Sequence, residues 1–400
     1  MSALLKISIA FIVVVFLLKR KVKLGYCLLA GSLLLGIFFR IQPDGYLRFT
    51  LLAFEDPANQ KLILTLFFIL VLANVMGETG QLERIVLLAK SVIKNPKIVI
   101  AIMPAFIGFL PIPGGALFSA PLVEKTDMDS EISPPMRSFI NYWFRHVWEY
   151  FFPLYPEVIL AVSITGMKMS EFIVMQLPLS IVAIAIGFIA MSRIRLSNNT
   201  VEDSSIGDWK TLVLYTLPIL LPIILILLGL ASWLSIMIGI LFALLINKKD
   251  SLSIVSGILK RFPWDVILNV VGVVIFKSFI ENTGGIPQIV QFFTQHNLPF
   301  ILVVTIAPFL VGLFSGMGIV PIGVTFPLII PFTTPANFNT SIMLAFACGF
   351  MGVMLSPAHL CLVVSNQYFK ADVEKVYRLL AAPVMSIILT ALLIFYVKGG

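Results

Sequence analysis

The chain has 400 residues, 59% of them apolar and only 12% charged, with a mean hydropathy of +1.03 and a formal net charge of +8. A soluble domain is about half apolar and a quarter charged, so these proportions exclude one and point to an all-α polytopic membrane protein whose partner is the lipid bilayer. The basic residues lie scattered at the ends of apolar runs rather than on one face, which excludes nucleic acid as a partner, and Cys27, Cys348 and Cys361 lack the spacing of a disulfide framework, a zinc site or an iron–sulfur site.

The first apolar run, 4–18, is followed by Lys19, Arg20, Lys21 and Lys23. A cleavable signal peptide carries its positive charge in front, so this run is expected to remain as helix 1. Further runs at 24–41, 62–77, 139–166, 172–191, 211–229, 232–247, 263–280, 340–366 and 379–397 bring the predicted spans to about ten. Two apolar segments, 98–125 and 299–331, have Gly/Pro-rich middles: Pro111-Ile-Pro-Gly-Gly115 in one, Ser315-Gly-Met-Gly318 with Pro321 and Gly323 in the other. Read as re-entrant hairpins they leave Lys and Arg concentrated on one side of the membrane, and read as full spans they erase that bias. The hairpin reading puts the linker 192–210 in the cytoplasm and both termini outside, in a multi-pass protein of the cytoplasmic (inner) membrane.

The chain is self-similar at an offset of 204. Thr79-Gly80 pairs with Thr283-Gly284, Pro104 with Pro308, Gly108 with Gly312, Gly114 with Gly318 and Pro153 with Pro357. This divides it into a first repeat, 1–191 (helices 1–5 and hairpin 98–125), and a second, 211–400 (helices 6–10 and hairpin 299–331). The amphipathic piece 80–97 carries Arg84, Lys90, Lys94 and Lys97, whereas 284–299 carries Gln288, Gln291, Gln295 and His296 and no Lys or Arg. Five full spans per half and these opposite charges predict two repeats of inverted topology.

Irregular backbone at membrane depth is tolerated only where it is buried in protein or lines a polar cavity. Inverted repeats with interruptions at matching positions are the pattern of secondary transporters, with a midplane site between the repeats. With this layout and the stretch Leu110-Pro-Ile-Pro-Gly-Gly-Ala-Leu-Phe-Ser-Ala-Pro121, the chain resembles the ion transporter superfamily of gluconate, citrate and dicarboxylate permeases, and within it an uncharacterised integral membrane family, domain of unknown function 401. The resemblance implies a scaffold domain that makes a homodimer contact and a transport domain of hairpins and broken helices moving as an elevator. Dicarboxylate members carry Ser-Asn-Thr at the hairpin tips, where this chain has Pro-Gly-Gly and Ser-Gly-Met-Gly.

Candidate substrate ligands follow from this layout. Gly114, Gly115 and Ser119 at the first hairpin, and Ser315, Gly316 and Gly318 at the second, offer helix N-termini and close backbone approach to an anion. In the first broken segment Asn141, Arg145 and Glu149 stand at i, i+4 and i+8 and are expected on one helical stripe, with Glu149 near the midplane. Arg145 offers a fork for a carboxylate, with Tyr155 and, from the second half, Ser356 completing the substrate site. His146, Glu149, Glu157, His359 and Asn366 are candidates for the coupling H+ or Na+. An internal Arg145–Glu149 pair is the alternative role for those two charges. The expected function is a secondary active transporter of a small organic anion, coupled to H+ or Na+; a cation/proton antiporter using Glu149 and Glu157, or a non-transporting membrane accessory protein, are the rivals. No Walker A, HExxH, GxSxG or DxD constellation is present, so neither an enzyme nor a cofactor is expected.

Overall fold

The computed structural model describes residues 3–20, 22–92, 95–109, 115–126, 132–192, 194, 209–247, 262–285, 287–288, 291, 295–296 and 299–398. Residues 110–114, Gly114 of the first hairpin tip among them, most of the 192–210 linker and much of the 284–299 piece lie outside them. All regular elements among the described residues are helices: α1 (Ala3–Lys19), α2 (Leu24–Phe38), α3 (Pro43–Glu55), α4 (Pro57–Glu78), α5 (Gln81–Val92), α6 (Pro96–Ile107), α7 (Ala116–Thr126), α8 (Pro134–Arg145) and α9 (Pro156–Thr165). These are followed by α10 (Met169–Ala190), α11 (Trp209–Leu227), α12 (Ser232–Ile246), α13 (Trp264–Asn282), α14 (Phe300–Ser315), α15 (Ile319–Ile329), α16 (Phe338–Met354), α17 (Leu360–Tyr368) and α18 (Val373–Lys398).

Local sequence explains many of the helix starts. Proline occupies the first turn of α3, α4, α6, α8 and α9, where its missing N–H removes no helical bond. Asp56 caps α4 by accepting from the Ala58 N–H at 2.8 Å, and Asn95 caps α6 by accepting from the Lys97 N–H at 3.0 Å. Four helices, α4, α10, α11 and α18, are long and apolar enough to cross a membrane. The outer surface is apolar, with Leu245 81% and Leu228 78% exposed, whereas Arg145, His146, Glu149 and Glu157 are buried. Charge inside and hydrocarbon outside is the distribution a bilayer favours and water does not.

As the prolines led one to expect, the runs 139–166 and 340–366 are each two helices separated by a break, at 146–155 between α8 and α9 and at 355–359 between α16 and α17. One expectation needs correction. Because α8 ends at Arg145 with His146 as its C-cap, Glu149 lies in the turns of the first break and not on a common stripe with Asn141 and Arg145. The cause is the sequence after the cap: Pro153 and Pro156 each lack a donor and disfavour helix before them, so the helical ladder cannot run through.

The helix pattern repeats at the offset seen in the sequence. α6, α8, α9 and α10 start at 96, 134, 156 and 169, and α14, α16, α17 and α18 start at 300, 338, 360 and 373. Packing follows the same plan: α2 lies on α13 as α12 lies on α4, and the return helices cross over, α7 onto α17 and α15 onto α9. Where α6 crosses α8, a Cβ at Gly108 would lie 2.2 Å from the Arg145 carbonyl oxygen; where α14 crosses α16, one at Gly312 would lie 2.1 Å from that of Gly349. Only glycine admits backbones this close, as at small-residue crossings in membranes.

Candidate functional site

The two breaks release backbone groups that helix would otherwise pair, and side chains take them up. The Ser180 hydroxyl donates to the Val147 carbonyl at 2.8 Å, and the Tyr142 hydroxyl of α8 donates to the carbonyl of Met354 at the end of α16, 3.0 Å away. The Tyr155 hydroxyl donates to the carbonyl of Gly108, and the Trp148 indole to that of Ala105 at 3.0 Å, which fastens the first break to α6. An unpaired carbonyl in so dry an interior costs several kcal/mol. These bonds therefore hold the breaks open as defined structures.

Between the breaks lies a cavity of about 830 Å³. Arg145, Glu149, Tyr155 and Glu157 line it from the first half, and the turn Ser315–Ile319 with Pro357–Cys361 from the second. At its outer margin Lys23 and Asp265 form an exposed ion pair of 2.8 Å. Inside, the Arg145 guanidinium stands 3.7 Å from a Glu149 carboxylate oxygen, and Glu149 interacts through its carboxyl with Glu157. Each hairpin presses a small backbone onto one of these charges. A Cβ at Gly115 would lie 2.4 Å from Arg145 Nη2, and one at Gly318 would lie 3.0 Å from Glu157 Oε1. The bare backbone at both positions leaves the charged groups in contact with the hairpin turns.

On one wall of the cavity the breaks meet directly. His146 Nε2 is 3.1 Å from His359 Nε2, and Cys361 Sγ joins them, with the ligand atoms of all three residues within 4.8 Å of one another. The remaining ring nitrogens face carbonyls: His146 Nδ1 is 2.5 Å from Tyr142 O, and His359 Nδ1 is 2.9 Å from Gly316 O. Gly316 closes α14 in the left-handed region, φ +66°, which favours glycine and turns its carbonyl to the histidine.

The other residues expected at the site lie in the surrounding walls. Ser119 donates to Asn141 Oδ1 at 2.6 Å, and Asn141 donates in turn to Ala116 O at 3.0 Å and Ser365 Oγ at 2.8 Å. Ser138 donates to Asn366 Oδ1 at 2.5 Å, and Ser356 Oγ accepts from the Ala358 N–H at 3.2 Å. Ser119, Asn141 and Asn366 thus join hairpin and broken helices to one another, Ser356 bonds within its own break, and none of the four is among the cavity-lining residues. Gly115, Arg145, Glu149, Tyr155, Glu157, Ser315, Gly316, Gly318 and His359 do border the cavity or touch a group that does, and His146 reaches it through His359. Cys361 was missed because cysteine spacing along the chain shows no zinc-type pattern; the signal available was His359-x-Cys361 directly after a Pro-containing break.

The family described as Protein of unknown function (DUF401) matches residues 1–397, and the chain belongs to it. No curated protein matches the chain.

Proposed function

We infer that this family member is a secondary active transporter that carries a small organic anion through the cavity between its two broken helices. One observation carries the reading: a cavity bounded by both breaks and the second hairpin turn and open at its Lys23–Asp265 margin, with Gly115 of the first hairpin against the guanidinium of Arg145, holds that buried guanidinium beside the two carboxyl groups of Glu149 and Glu157. Enclosed charge in an apolar bundle marks solute pathways. The recurrence of helix starts at an offset of 204, with return helices packed crosswise onto the opposite half, supports two copies of inverted topology. Alternating access then means exchanging the roles of the copies, by an elevator-like movement in which hairpins and broken helices carry the site between the two sides. Arg145 grips the substrate carboxylate through its planar fork, and the pair Glu149–Glu157 takes the coupling H+ or Na+.

The carboxyl pair also favours a second reading, a cation/proton antiporter in which Arg145 is the counter-charge. Uptake of labelled mono- and dicarboxylates into proteoliposomes, with imposed pH or sodium gradients, separates the two. The expected result is gradient-driven anion accumulation that Glu157→Gln reduces about 10-fold while anion exchange persists. Sodium-dependent proton movement with no anion uptake would establish the antiporter instead.

A further inference from the structure

Counting hydrogens on the two facing histidines exposes a mismatch. A carbonyl cannot donate, so the contacts His146 Nδ1···Tyr142 O (2.5 Å) and His359 Nδ1···Gly316 O (2.9 Å) require a hydrogen on each Nδ1. Neutral rings then present bare lone pairs at both Nε2 atoms, which nevertheless lie 3.1 Å apart. Cys361 Sγ is in the same cluster, the ligand atoms of the three residues lying within 4.8 Å of one another. Three acceptor atoms share, at most, the one hydrogen of the thiol. In a buried site such an arrangement is unfavourable unless a cation sits among the three.

We propose that His146, His359 and Cys361 are the ligands of a transition-metal ion of the zinc type, which bridges the two breaks. Two nitrogens about 2.05 Å from a common zinc ion and 3.1 Å apart subtend roughly 100° at it, close to tetrahedral. The hydrogen bonds from both Nδ1 atoms to backbone carbonyls are the second shell that orients metal-bound imidazoles. Imidazole with thiolate selects borderline and soft ions over Mg²⁺ or Ca²⁺. The charge of a bound thiolate is offset by the Ala116 backbone N–H at the start of α7 and by Arg145, both of which act on Cys361. His359 and Cys361 both border the cavity, so the fourth coordination position opens into it. His146 stands 213 positions before His359 and further from Cys361, so the ion also ties the two halves together. This site stands whether or not the cavity carries an anion.

The test is Co²⁺ titration of the purified, chelator-treated full-length protein, read by visible and near-ultraviolet absorption, with metal content measured separately. The expected result is one Co²⁺ per chain with tetrahedral d–d bands and a thiolate charge-transfer band. Cys361→Ser abolishes that band, and both it and His359→Ala weaken binding about 10-fold or more. Cys27→Ser and Cys348→Ser leave the spectrum unchanged, since both thiols are buried elsewhere. Size-exclusion profiles and metal-free melting temperatures establish that each variant is folded. No Co²⁺ uptake, as expected if the two histidines share a proton instead, overturns the proposal. So does an octahedral spectrum indifferent to Cys361→Ser, the mark of an adventitious ion only. Metal bound without anion uptake sinks the transport reading alone; anion uptake by protein that binds no metal sinks the metal site alone.

Discussion

At the first break stand Arg145, His146, Glu149, Tyr155 and Glu157; at the same positions of the second, 204 residues on, stand Gly349, Phe350, Val353, His359 and Cys361. The backbones agree closely. α8 and α16 end before the break, α9 and α17 restart at 156 and 360, and Gly108 and Gly312 carry matching crossings. Glu157 and Cys361 occupy the same place in the first turn of their helices, Glu157 against Gly318 of α15's start and Cys361 against Ala116 of α7. The difference is chemical: one copy supplies the formal charges and the other a soft ligand and an uncharged surface. The frame is held in common while the electrostatics belong to one side; on the transport reading proposed above, one end of a bound molecule is gripped and the rest accommodated.

The largest expected effect breaks that asymmetry. Arg145→Ala removes the guanidinium and its charge-assisted hydrogen bonds, each worth about 1.5–3 kcal/mol, so anion uptake should fall about 100-fold or more. Arg145→Lys should restore little, because the ammonium lacks the fork. Uptake at normal affinity in Arg145→Ala would remove the role given to it. Next come paired tests of the shared frame. Gly108→Ala and Gly312→Ala each force a methyl into a carbonyl oxygen and should cost about 1–3 kcal/mol, seen as lowered melting temperatures in detergent. Similar losses sharpen the comparison, and a large loss in only one of them breaks the symmetry of the crossings. The smallest effect is expected for Tyr142→Phe, which removes one hydrogen bond to the Met354 carbonyl and should cost about 1 kcal/mol, with thermal unfolding as the readout.

Much of this was legible from residues alone. The hairpin segments, the offset of 204 and the Pro-broken regions are local properties, since Gly and Pro act through their own backbone. Arg145, Glu149 and Glu157 were legible as a cluster of buried charges because charge in an apolar run has few explanations. The shared stripe of Asn141, Arg145 and Glu149 was misread, because periodicity assumes a helix that continues and α8 stops at Arg145. Ser119, Asn141 and Ser356, expected at the substrate, and Asn366, expected at the coupling ion, have partners that only the folded chain reveals: Ser119 bonds to Asn141, Asn141 to Ser365, Asn366 to Ser138 and Ser356 to the Ala358 backbone.

By itself the sequence determined that the chain is helical and built for lipid, where its backbone must break, and which charges cannot be ordinary surface groups. Those follow from composition, proline and the cost of burying charge, all of which act over a few residues. Only the tertiary structure decided that Cys361 and His359 meet His146, that Gly115 and Gly318 bring bare backbone against Arg145 and Glu157, and that Lys23 meets Asp265 across the cavity margin. Each of these is a contact between segments far apart in the chain. Its geometry depends on how closely backbones approach, and a linear pattern carries no record of that distance.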